Sequence, residues 1–562
     1  MKYFLTFFTV FLFKFGFAQK QYPQDYFNPP LKIPIILSGT FGELRSNHFH
    51  SGVDIKTLGK EGIPIFAPAD GFVYRIKVAQ FGFGKALYIN HPNGYTTVYA
   101  HLRRFSPEIQ EYVKSVQYQK EQYATGNLFP KPERFPVKKG DLIGYTGDTG
   151  SSGGPHLHYE IRDTKTEHII NPMFFGLLPV DTKAPTIKKL MVFPLSDNAR
   201  INNSATKTTL ELRNKGNNQY ITNKITASGT IGFGVNVFDR LDGALNKNGI
   251  YSLEMKLNGT RVYYHDLETF SFAESKYINL LIDYKHYTKF RRRFQKTHKV
   301  DENRLSIYED LVNNGKIDIE DRYTYHVEII AKDFKGNTSS ISIPIEGIQS
   351  NSLFTKKDTT SFKIKANDFH KFKQENVTIA FPKNTFYKDC FLDFTVKNDT
   401  AKIHEPVIPL DKRYTLTFFT QHLTEKEKQQ VYIAKINRNR SRYTSTKKKL
   451  DKVYTTTKSL GTYTLKFDSI PPTAKLYNFK NNQWVSQLKK LKVKIRDKES
   501  GIKNYRATID NDWVLMEYNH KKGILSYDFS DKKLVGSKHL FKLVVSDNVG
   551  NTKIISATFF RK

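Results

Sequence analysis

Histidines in the first third of the chain fall in three short segments instead of being scattered. These segments are NHFHSGVDIK (47–56), YAHL (99–102) and GPHLHYE (154–160). Side chains alternate along a strand, so His156 and His158 point to one face of it. The even spacing of His50 and Asp54 likewise keeps both on one side of an extended chain. Two histidines and a carboxylate with a fourth position open to water form a recurrent catalytic zinc set, which polarises carbonyls and lowers the pKa of water to about 7.

The residues around these segments predict a small β domain over residues 30–178. Short runs rich in Val, Ile and Tyr, such as KALYINHPNGYTTVYAHL (85–102), are separated by Gly and Asn-Gly turns, which is typical of antiparallel strands. The segment 104–136 interrupts this pattern. Within it, FSPEIQEYVKSVQYQKEQYA (105–124) has apolar residues at helical spacing and Ser106 as a cap. We expect this insertion either to cover the site and narrow substrate choice or merely to decorate the domain.

The three motifs, in type and order, resemble those of the lysostaphin/LytM-type zinc metallopeptidases, which cleave peptide bridges of peptidoglycan. The matching residues are His50-x-x-x-Asp54, Tyr99-Ala-His101 and His156-Leu-His158, and the resemblance covers roughly residues 38–175. It implies that His50, Asp54 and His158 bind one Zn²⁺, with a water as the fourth ligand. It also implies that His101 and His156 are catalytic histidines that do not bind the metal. One of them would take a proton from the attacking water and the other would steady the oxyanion, and the sequence does not assign which.

After about residue 180 the chain repeats itself. DTKAPTIKKL (181–190) is echoed by DSIPPTAKL (468–476), and YHVEIIAKDFKGN (325–337) by HLFKLVVSDNVGN (539–551). In both segments of the second pair, apolar and polar residues alternate as they do in a strand, and each segment ends in an Asp-x-x-Gly-Asn turn. From the first Asp to the turn Asp the copies span 152 and 79 residues, so the first carries 73 extra residues (152 − 79). We predict immunoglobulin-like β-sandwich domains at 181–348, with an insertion, and at 468–562. Between them we predict a β-rich domain of unnamed fold at 352–467. The predicted fold class is mainly β, with the small antiparallel metallopeptidase domain first.

The first 18 residues, MKYFLTFFTVFLFKFGFA, have a positive start, an apolar stretch and small residues before a cleavage position. They predict a signal peptide, because the apolar part is shorter than the roughly 20 residues of a membrane span. No later segment has the length and apolarity of such a span. We therefore expect an exported protein of the periplasm or cell envelope, or a secreted one.

A turn at Pro92-Asn-Gly94 also predicts that His91, just before it, is exposed to solvent.

Composition narrows the classes of protein further. The aromatic content of 14% excludes a disordered chain, and the single cysteine, Cys390, excludes a disulfide framework. The net charge of +34 favours a polyanionic neighbourhood, and export makes nucleic acid an unsuitable partner. The basic clusters around Arg438 to Arg442 and Lys447 to Lys449 are either a solvated face or a binding site for an anionic envelope polymer.

Three functions are compatible with these features. The first is an exported zinc metalloendopeptidase that hydrolyses peptidoglycan cross-links. The second is a non-catalytic envelope scaffold that regulates another wall hydrolase, and the complete set of five site residues argues against it. The third is a secreted endopeptidase that acts on other proteins, which needs the same chemistry as the first.

Overall fold

The computed structural model describes residues 21–349 and 359–562, and it is mainly β, as the sequence predicts. The predicted signal peptide lies outside the described residues. Within them, no helix combines the length and the apolar character that crossing a membrane requires.

The N-terminal region is an antiparallel β structure with one longer helix. Its elements are β1 (Leu37–Gly39), β2 (Val53–Lys56), β3 (Pro64–Phe66), β4 (Gly71–Val78), β5 (Lys85–Asn90), β6 (Tyr95–Ala100), β7 (Arg104–Phe105), α1 (Pro107–Lys120), β8 (Gly126–Leu128), β9 (Pro136–Val137), β10 (Leu142–Tyr145), β11 (His156–Asp163) and β12 (Ile169–Ile170). The main sheet has the order β1-β2-β11-β6-β5-β4-β8, and a smaller one has the order β3-β10-β7. Strand β11 is therefore central, with β2 on one side and β6 on the other.

Helix α1 lies inside the predicted insertion. Proline at its first position suits a helix start, and Ser106 occupies the N-cap position without a side-chain capping bond. Ile109 and Val113 bury one face of the helix in the core of this region. The other face turns toward the C-terminal part of the chain, where the Tyr118 ring packs edge-on against Trp513 at 5.2 Å.

The next region, which we call the first β module (residues 186–347), contains one large sheet assembly and short helices. Its elements are β13 (Thr186–Pro194), β14 (Arg200–Ile201), β15 (Thr208–Leu210), β16 (Arg213–Gly216), β17 (Gln219–Ile221), β18 (Ile225–Phe238), β19 (Ser252–Leu257), β20 (Thr260–Asp266), β21 (Thr269–Phe270), α2 (Ile278–Leu281), α3 (Tyr284–Phe290), β22 (Gln295–Lys296), β23 (Tyr308–Leu311), β24 (Ile317–Ile319), β25 (Thr324–Lys332) and β26 (Thr338–Gly347). Strand β21 pairs with β12, and Phe270 packs against Phe41 and Phe49. The core of the N-terminal region therefore continues into the extra residues of this module.

The middle region contains two five-stranded sheets and a two-stranded one. Its elements are β27 (Phe362–Ile364), β28 (His370–Gln374), β29 (Val377–Phe381), β30 (Cys390–Leu392), β31 (Phe394–Lys397), β32 (Thr400–Ile403), β33 (Tyr414–Phe419), α4 (Glu425–Gln430), β34 (Val431–Asn437), β35 (Arg440–Tyr443), β36 (Lys447–Lys449), β37 (Lys452–Thr457) and β38 (Gly461–Phe467). The basic clusters noted in the sequence lie on β35 and β36, which are exposed edge strands of the two larger sheets.

The last β module (residues 473–560) repeats the central pairing of the first. Its elements are β39 (Thr473–Leu476), β40 (Gln483–Trp484), β41 (Lys490–Arg496), β42 (Ile502–Ile509), β43 (Asp512–Trp513), β44 (Glu517–Asn519), β45 (Ile524–Asp528), β46 (Lys538–Asp547) and β47 (Thr552–Phe560). The hairpin of β46 and β47 corresponds to that of β25 and β26, and β42 pairs with β46 as β19 pairs with β25. The two sequence copies therefore have the same strand pairing around their Asp-x-x-Gly-Asn turns.

Candidate metal centre

Three of the five candidate residues meet where β2 and β11 lie side by side. His158 is the register partner of Asp54, and His50 lies just before β2. Nε2 of His50 and Nδ1 of His158 lie 3.0 and 2.9 Å from Oδ1 of Asp54, and 3.1 Å from each other. All three side chains are buried. We call this group the peptidase centre.

The outer nitrogens of both histidines make hydrogen bonds that decide which nitrogen faces inward. Nδ1 of His50 donates to the carbonyl oxygen of Thr40 at 2.8 Å, and Nε2 of His158 donates to Oε1 of Glu160 at 2.9 Å. In the neutral rings the inward nitrogens therefore carry lone pairs. Ligand atoms about 2.0–2.1 Å from a tetrahedral zinc ion lie about 3.3 Å apart, close to the separations observed. The donor set fits Zn²⁺, and outer hydrogen bonds of this kind are typical of zinc-binding histidines.

The carboxylates of this centre are held in the ionised form. Burial alone would raise the pKa of Asp54, but His50 and the hydrogen bonds from the neighbouring histidines hold it well below its usual range. Burial also disfavours the charge on Glu160, whereas Arg162 and His158 lower its pKa to about 2. Burial alone would lower the pKa of His158, but hydrogen bonds to Asp54 and Glu160 raise it to about 9. The centre therefore attracts positive charge.

The other two candidate histidines lie beside the peptidase centre. Nδ1 of His101 donates to the carbonyl oxygen of Thr149 at 2.9 Å, and Nδ1 of His156 donates to that of Gly154 at 2.8 Å. The two rings are 4.8 Å apart between centroids, and Nε2 of His156 lies 3.4 Å from Oδ1 of Asp54. Because Nδ1 donates to a carbonyl oxygen, each neutral ring carries its lone pair on Nε2, where it can accept a proton.

The backbone at His101 is strained. Its φ is +63°, a left-handed conformation that costs a residue with a side chain on the order of 1 kcal/mol or more and that clusters at functional sites. Gly147 supports it closely, because a Cβ there would lie 2.8 Å from the carbonyl oxygen of His101. Burial, followed by the charges of His158 and His156, lowers the pKa of the His101 ring to about 3.

Several supporting residues were not identified from the sequence. Glu160 and Arg162 follow His158 at intervals of two on β11, and Arg162 donates to Glu160 through Nε at 2.8 Å. Strand alternation places them on the face of His158, so the spacing contained a usable signal. Thr40 and Thr149 act through backbone carbonyl oxygens, for which residue type gives no signal.

The prediction for His91 was wrong. The residue is 5% exposed, and its Nδ1 and Nε2 lie 2.8 Å from the carbonyl oxygen of Asp70 and from Oγ1 of Thr97. The turn after His91 is at the surface, but the strand end before it packs inward against Phe27. Burial lowers the pKa of this ring to about 4.

A groove of about 660 Å³ opens beside the peptidase centre. Asp54 and His156 line it, together with Ile33 and Pro34 from the segment before β1 and Gly243 from the first β module. Helix α1 contributes no side chain to this groove. The insertion therefore does not line the groove. Its wall is formed mainly by residues between 33 and 59 and between 153 and 156, and the first β module contributes Gly243.

The last β module packs on the opposite side, next to the loop that holds His101. Nζ of Lys521 lies 2.8 Å from the carbonyl oxygen of Asp148 and 2.6 Å from its Oδ1. Nζ of Lys85 lies 2.6 Å from Oε1 of Glu517. Asp148 directly precedes Thr149, so a contact between distant parts of the chain supports the position of the His101 ring.

A buried His, Asp and His set with two further histidines beside it, one of which lines a groove, defines a metallopeptidase type of site. The model described as Peptidase family M23 matches residues 48–132 and 119–172. This part of the chain is an M23 peptidase domain of the LytM/lysostaphin type, which confirms the resemblance read from the three motifs. A second model, described as a Zu5-like domain, matches residues 362–468, the region whose fold the sequence left unnamed.

Similar curated proteins include enzymes of bacterial wall metabolism. The DD-carboxypeptidase/endopeptidase Mpg of Neisseria meningitidis serogroup B is 38% identical over 119 residues, which are 21% of this chain and 21% of that protein. The peptidoglycan DD-endopeptidase ShyC of Vibrio cholerae is 34% identical over 134 residues, which are 24% of this chain and 23% of that protein. The match therefore spans less than a quarter of the length of these relatives.

Solved structures that are similar include the catalytic domain of lysostaphin from Staphylococcus simulans. It is 21% identical, and the match covers 25% of this chain and 92% of that chain with a TM-score of 0.19. A zinc-containing peptidase from Vibrio cholerae is 24% identical over 27% of this chain and 40% of that chain, with a TM-score of 0.20.

Proposed function

We propose that this protein is an exported zinc metalloendopeptidase that hydrolyses peptide cross-links of peptidoglycan. The observation that carries the proposal is the convergence of three inward-facing ligand atoms with two further histidine rings that lie beside them, next to a groove. His50, Asp54 and His158 would hold one Zn²⁺ per chain. The ion would supply Lewis-acid polarisation of the scissile carbonyl and an acidified water.

The protein's own residues supply the proton transfers. His101 and His156 both hold a proton on Nδ1 through a backbone carbonyl, so each works through Nε2. One ring accepts the proton of the attacking water at Nε2, and the other stabilises the negative charge that develops on the carbonyl oxygen. Burial near the groove strengthens both interactions because it excludes competing water.

Two features support peptidoglycan as the substrate. The first is the likeness of residues 48–172 to a domain shared with endopeptidases whose names refer to peptidoglycan. The second is the groove, where Ile33 and Pro34 offer apolar surface beside the cationic Lys56. Wall peptides carry free carboxylates beside small apolar side chains, and such a groove complements both. Residues 1–18 support export to the compartment that holds this substrate.

The test is digestion of purified cross-linked peptidoglycan by the mature chain, with the released fragments identified by mass spectrometry. We expect loss of cross-linked dimers and new free peptide ends. His158→Ala should abolish this release and lower the zinc content. His48→Ala is a matched control, because His48 is exposed and its side chain hydrogen-bonds only to its neighbour Asn47 among the described residues.

Two results would contradict the proposal. Fragment release by His158→Ala at the wild-type rate would show that the centre is not catalytic. Cleavage of casein faster than peptidoglycan by zinc-loaded protein would show that the substrate is not the wall. The alternative of a non-catalytic scaffold predicts no release by wild-type protein that contains stoichiometric zinc.

A further inference from the structure

Two groups of aspartates lie at equivalent positions in the two β modules. The first aspartate cluster is Asp181, Asp239 and Asp333, and the second is Asp468, Asp497 and Asp547. In each group, one carboxylate oxygen per residue lies within 4.8 Å of the others. The peptidase activity proposed above uses neither group.

The two clusters are built in the same way. The first member lies in the segment that enters the module, the second directly follows the strand paired with the first strand of the module, and the third opens the Asp-x-x-Gly-Asn turn. In the last module, Nδ2 of Asn551 donates to Oδ2 of Asp547 at 2.8 Å and to the carbonyl oxygen of Asp468 at 3.0 Å. The turn therefore fixes the third carboxylate against the entering segment.

The same bonds occur in the first module. Nδ2 of Asn337 donates to Oδ2 of Asp333 at 2.7 Å and to the carbonyl oxygen of Asp181 at 3.4 Å. A repeat that preserved only the fold would need this asparagine and its turn. It would not need two further carboxylates aimed at the same point.

The charge of the first cluster is not balanced by basic side chains. Across residues 21–349 and 359–562, no lysine, arginine or histidine forms an ion pair with its three carboxylates, and the nearby Lys183 pairs with Asp242 instead. This is unexpected in a chain with 88 Lys and Arg against 54 Asp and Glu. Three close carboxylates without a counter-charge repel one another.

A buried carboxylate oxygen without a partner indicates that the first cluster lacks a hydrogen-bond donor or a cation. Asp239 is 2% exposed, and its Oδ1 has no hydrogen-bond partner among the described residues. An unsatisfied buried carboxylate oxygen is costly, because it has lost water without gaining a donor or a cation. Burial and the charge of Asp181 raise the pKa of Asp239 to about 7, in agreement with a missing counter-charge. A cavity of about 20 Å³ lies here, lined by Asp181 and Asp239, which is room for one small ion or water.

The second cluster shows a related feature. Ser500 is 1% exposed, its backbone N–H donates to Oδ2 of Asp468 at 3.0 Å, and its hydroxyl has no partner in the part of the chain that the structure describes. None of the three carboxylates of this cluster is ion-paired within the described ranges.

We propose that each β module binds one Ca²⁺ through its aspartate cluster, at the segment where the chain enters the module. All the side-chain ligands are carboxylate oxygens, which suit a hard cation, and nitrogen or sulfur ligands that favour zinc are missing from both sets. Ca²⁺ tolerates the irregular coordination that three carboxylates, backbone oxygens and water provide, whereas Mg²⁺ demands near-ideal octahedral geometry. The first site would fasten the first β module to the peptidase domain, since Thr40 and Phe41 line the same cavity.

The test is equilibrium dialysis of the full mature chain, freed of calcium but with its zinc retained, against Ca²⁺ up to about 5 mM, because extracellular modules bind it at about 0.1–1 mM. We expect two Ca²⁺ per wild-type chain and one in each of Asp239→Asn and Asp497→Asn. The double variant should bind none. Asp242→Asn is the matched control, since Asp242 neighbours the first cluster but pairs with Lys183, and it should keep both ions.

Thermal unfolding of the same proteins gives a second measurement. Ca²⁺ should raise the unfolding temperature of the wild type and leave the double variant unchanged. Without Ca²⁺ the double variant should unfold at or above the wild-type temperature, because it has less repulsion. Absence of Ca²⁺ binding by the wild type, or two ions kept by the double variant, would overturn the proposal. A single ion that is lost only in Asp239→Asn would overturn it for the last module.

Discussion

The peptidase centre and the first aspartate cluster are two buried polar sites that differ in whether their charged groups have partners of opposite charge. In the peptidase centre, the outer atoms have hydrogen-bond partners: His158 and Arg162 both donate to the carboxylate of Glu160. In the aspartate cluster, no basic side chain of the described residues forms an ion pair with the three carboxylates, and an oxygen of Asp239 is left without a donor.

This difference separates a site that positions reacting groups from one that only needs to be neutralised. A chain of hydrogen bonds fixes the direction of each ligand, which catalysis requires. A cluster in which the turn fixes Asp333 but Oδ1 of Asp239 has no donor among the described residues can adapt to the ion that it binds, which suffices for holding two parts of a protein together. The predictions below test whether the two sites are independent.

The largest effect is expected for His101→Ala. The ring does not reach the metal ligands through a hydrogen bond, so zinc content should stay at the wild-type level. Loss of a proton-transfer group should lower kcat for peptidoglycan by about 10²–10⁴. Parallel measurements of zinc by mass spectrometry and of kcat check this, with His48→Ala as the control. A loss of zinc that parallels the loss of activity would instead make His101 a support of the metal.

A smaller effect is expected for Glu160→Gln. The amide keeps an acceptor for His158 but removes the charge opposite Arg162, so zinc affinity should fall by about 10–100-fold. Glu167→Gln is the matched control, since Glu167 also contacts Arg162, at 3.2 Å, but is half-exposed and remote from the metal ligands. Competition with a zinc-sensitive dye gives both affinities. The calcium content should not change, and a parallel loss of calcium would mean that the two sites are coupled.

Selective chelators should show that the proposed calcium sites contribute to stability and the zinc site to activity. A calcium-selective chelator should lower the unfolding temperature by several degrees, since a ligand at about 100 times its Kd stabilises by about 2.7 kcal/mol. Peptidase activity at low temperature should persist. A zinc-selective chelator should abolish activity. Calorimetry and the peptidoglycan assay on the same samples check both, and loss of activity under the calcium chelator alone would contradict the separation.

The smallest effect is expected for Lys521→Ala. The ion pair with Asp148 is partly exposed, so its loss should cost less than about 1 kcal/mol of stability. Asp148 precedes Thr149, whose carbonyl oxygen holds the His101 ring, so kcat should fall slightly, by less than about fivefold. Lys522→Ala, which changes the adjacent exposed lysine, is the control. Equal behaviour of the two variants in unfolding and in turnover would show that this contact does not support the site.

The sequence was most informative where residue type and spacing together define chemistry. Strand alternation placed His156 on the face of His158, and the resemblance carried by the three motifs grouped His50, Asp54 and His158. The structure brings the ligand atoms of these three residues within 3.1 Å of one another. The same alternation, followed two residues further along β11, would have added Glu160.

Other features depend on tertiary contacts that a linear pattern does not contain. His91 looked exposed because of its turn, but burial is decided by Phe27, which lies 64 residues earlier and packs on its ring. The pairing of β12 with β21 joins regions that the sequence divides near residue 180. The second member of each aspartate cluster was missed because a lone Asp after a strand has no signature of its own.

The contact between Gln80 and the carbonyl oxygen of Tyr518 joins residues 438 positions apart. Domains generally fold as units, so this contact forms when two parts of the chain that have each folded come together. The loop around Thr149, which holds the His101 ring, therefore receives its support from the last β module late in folding.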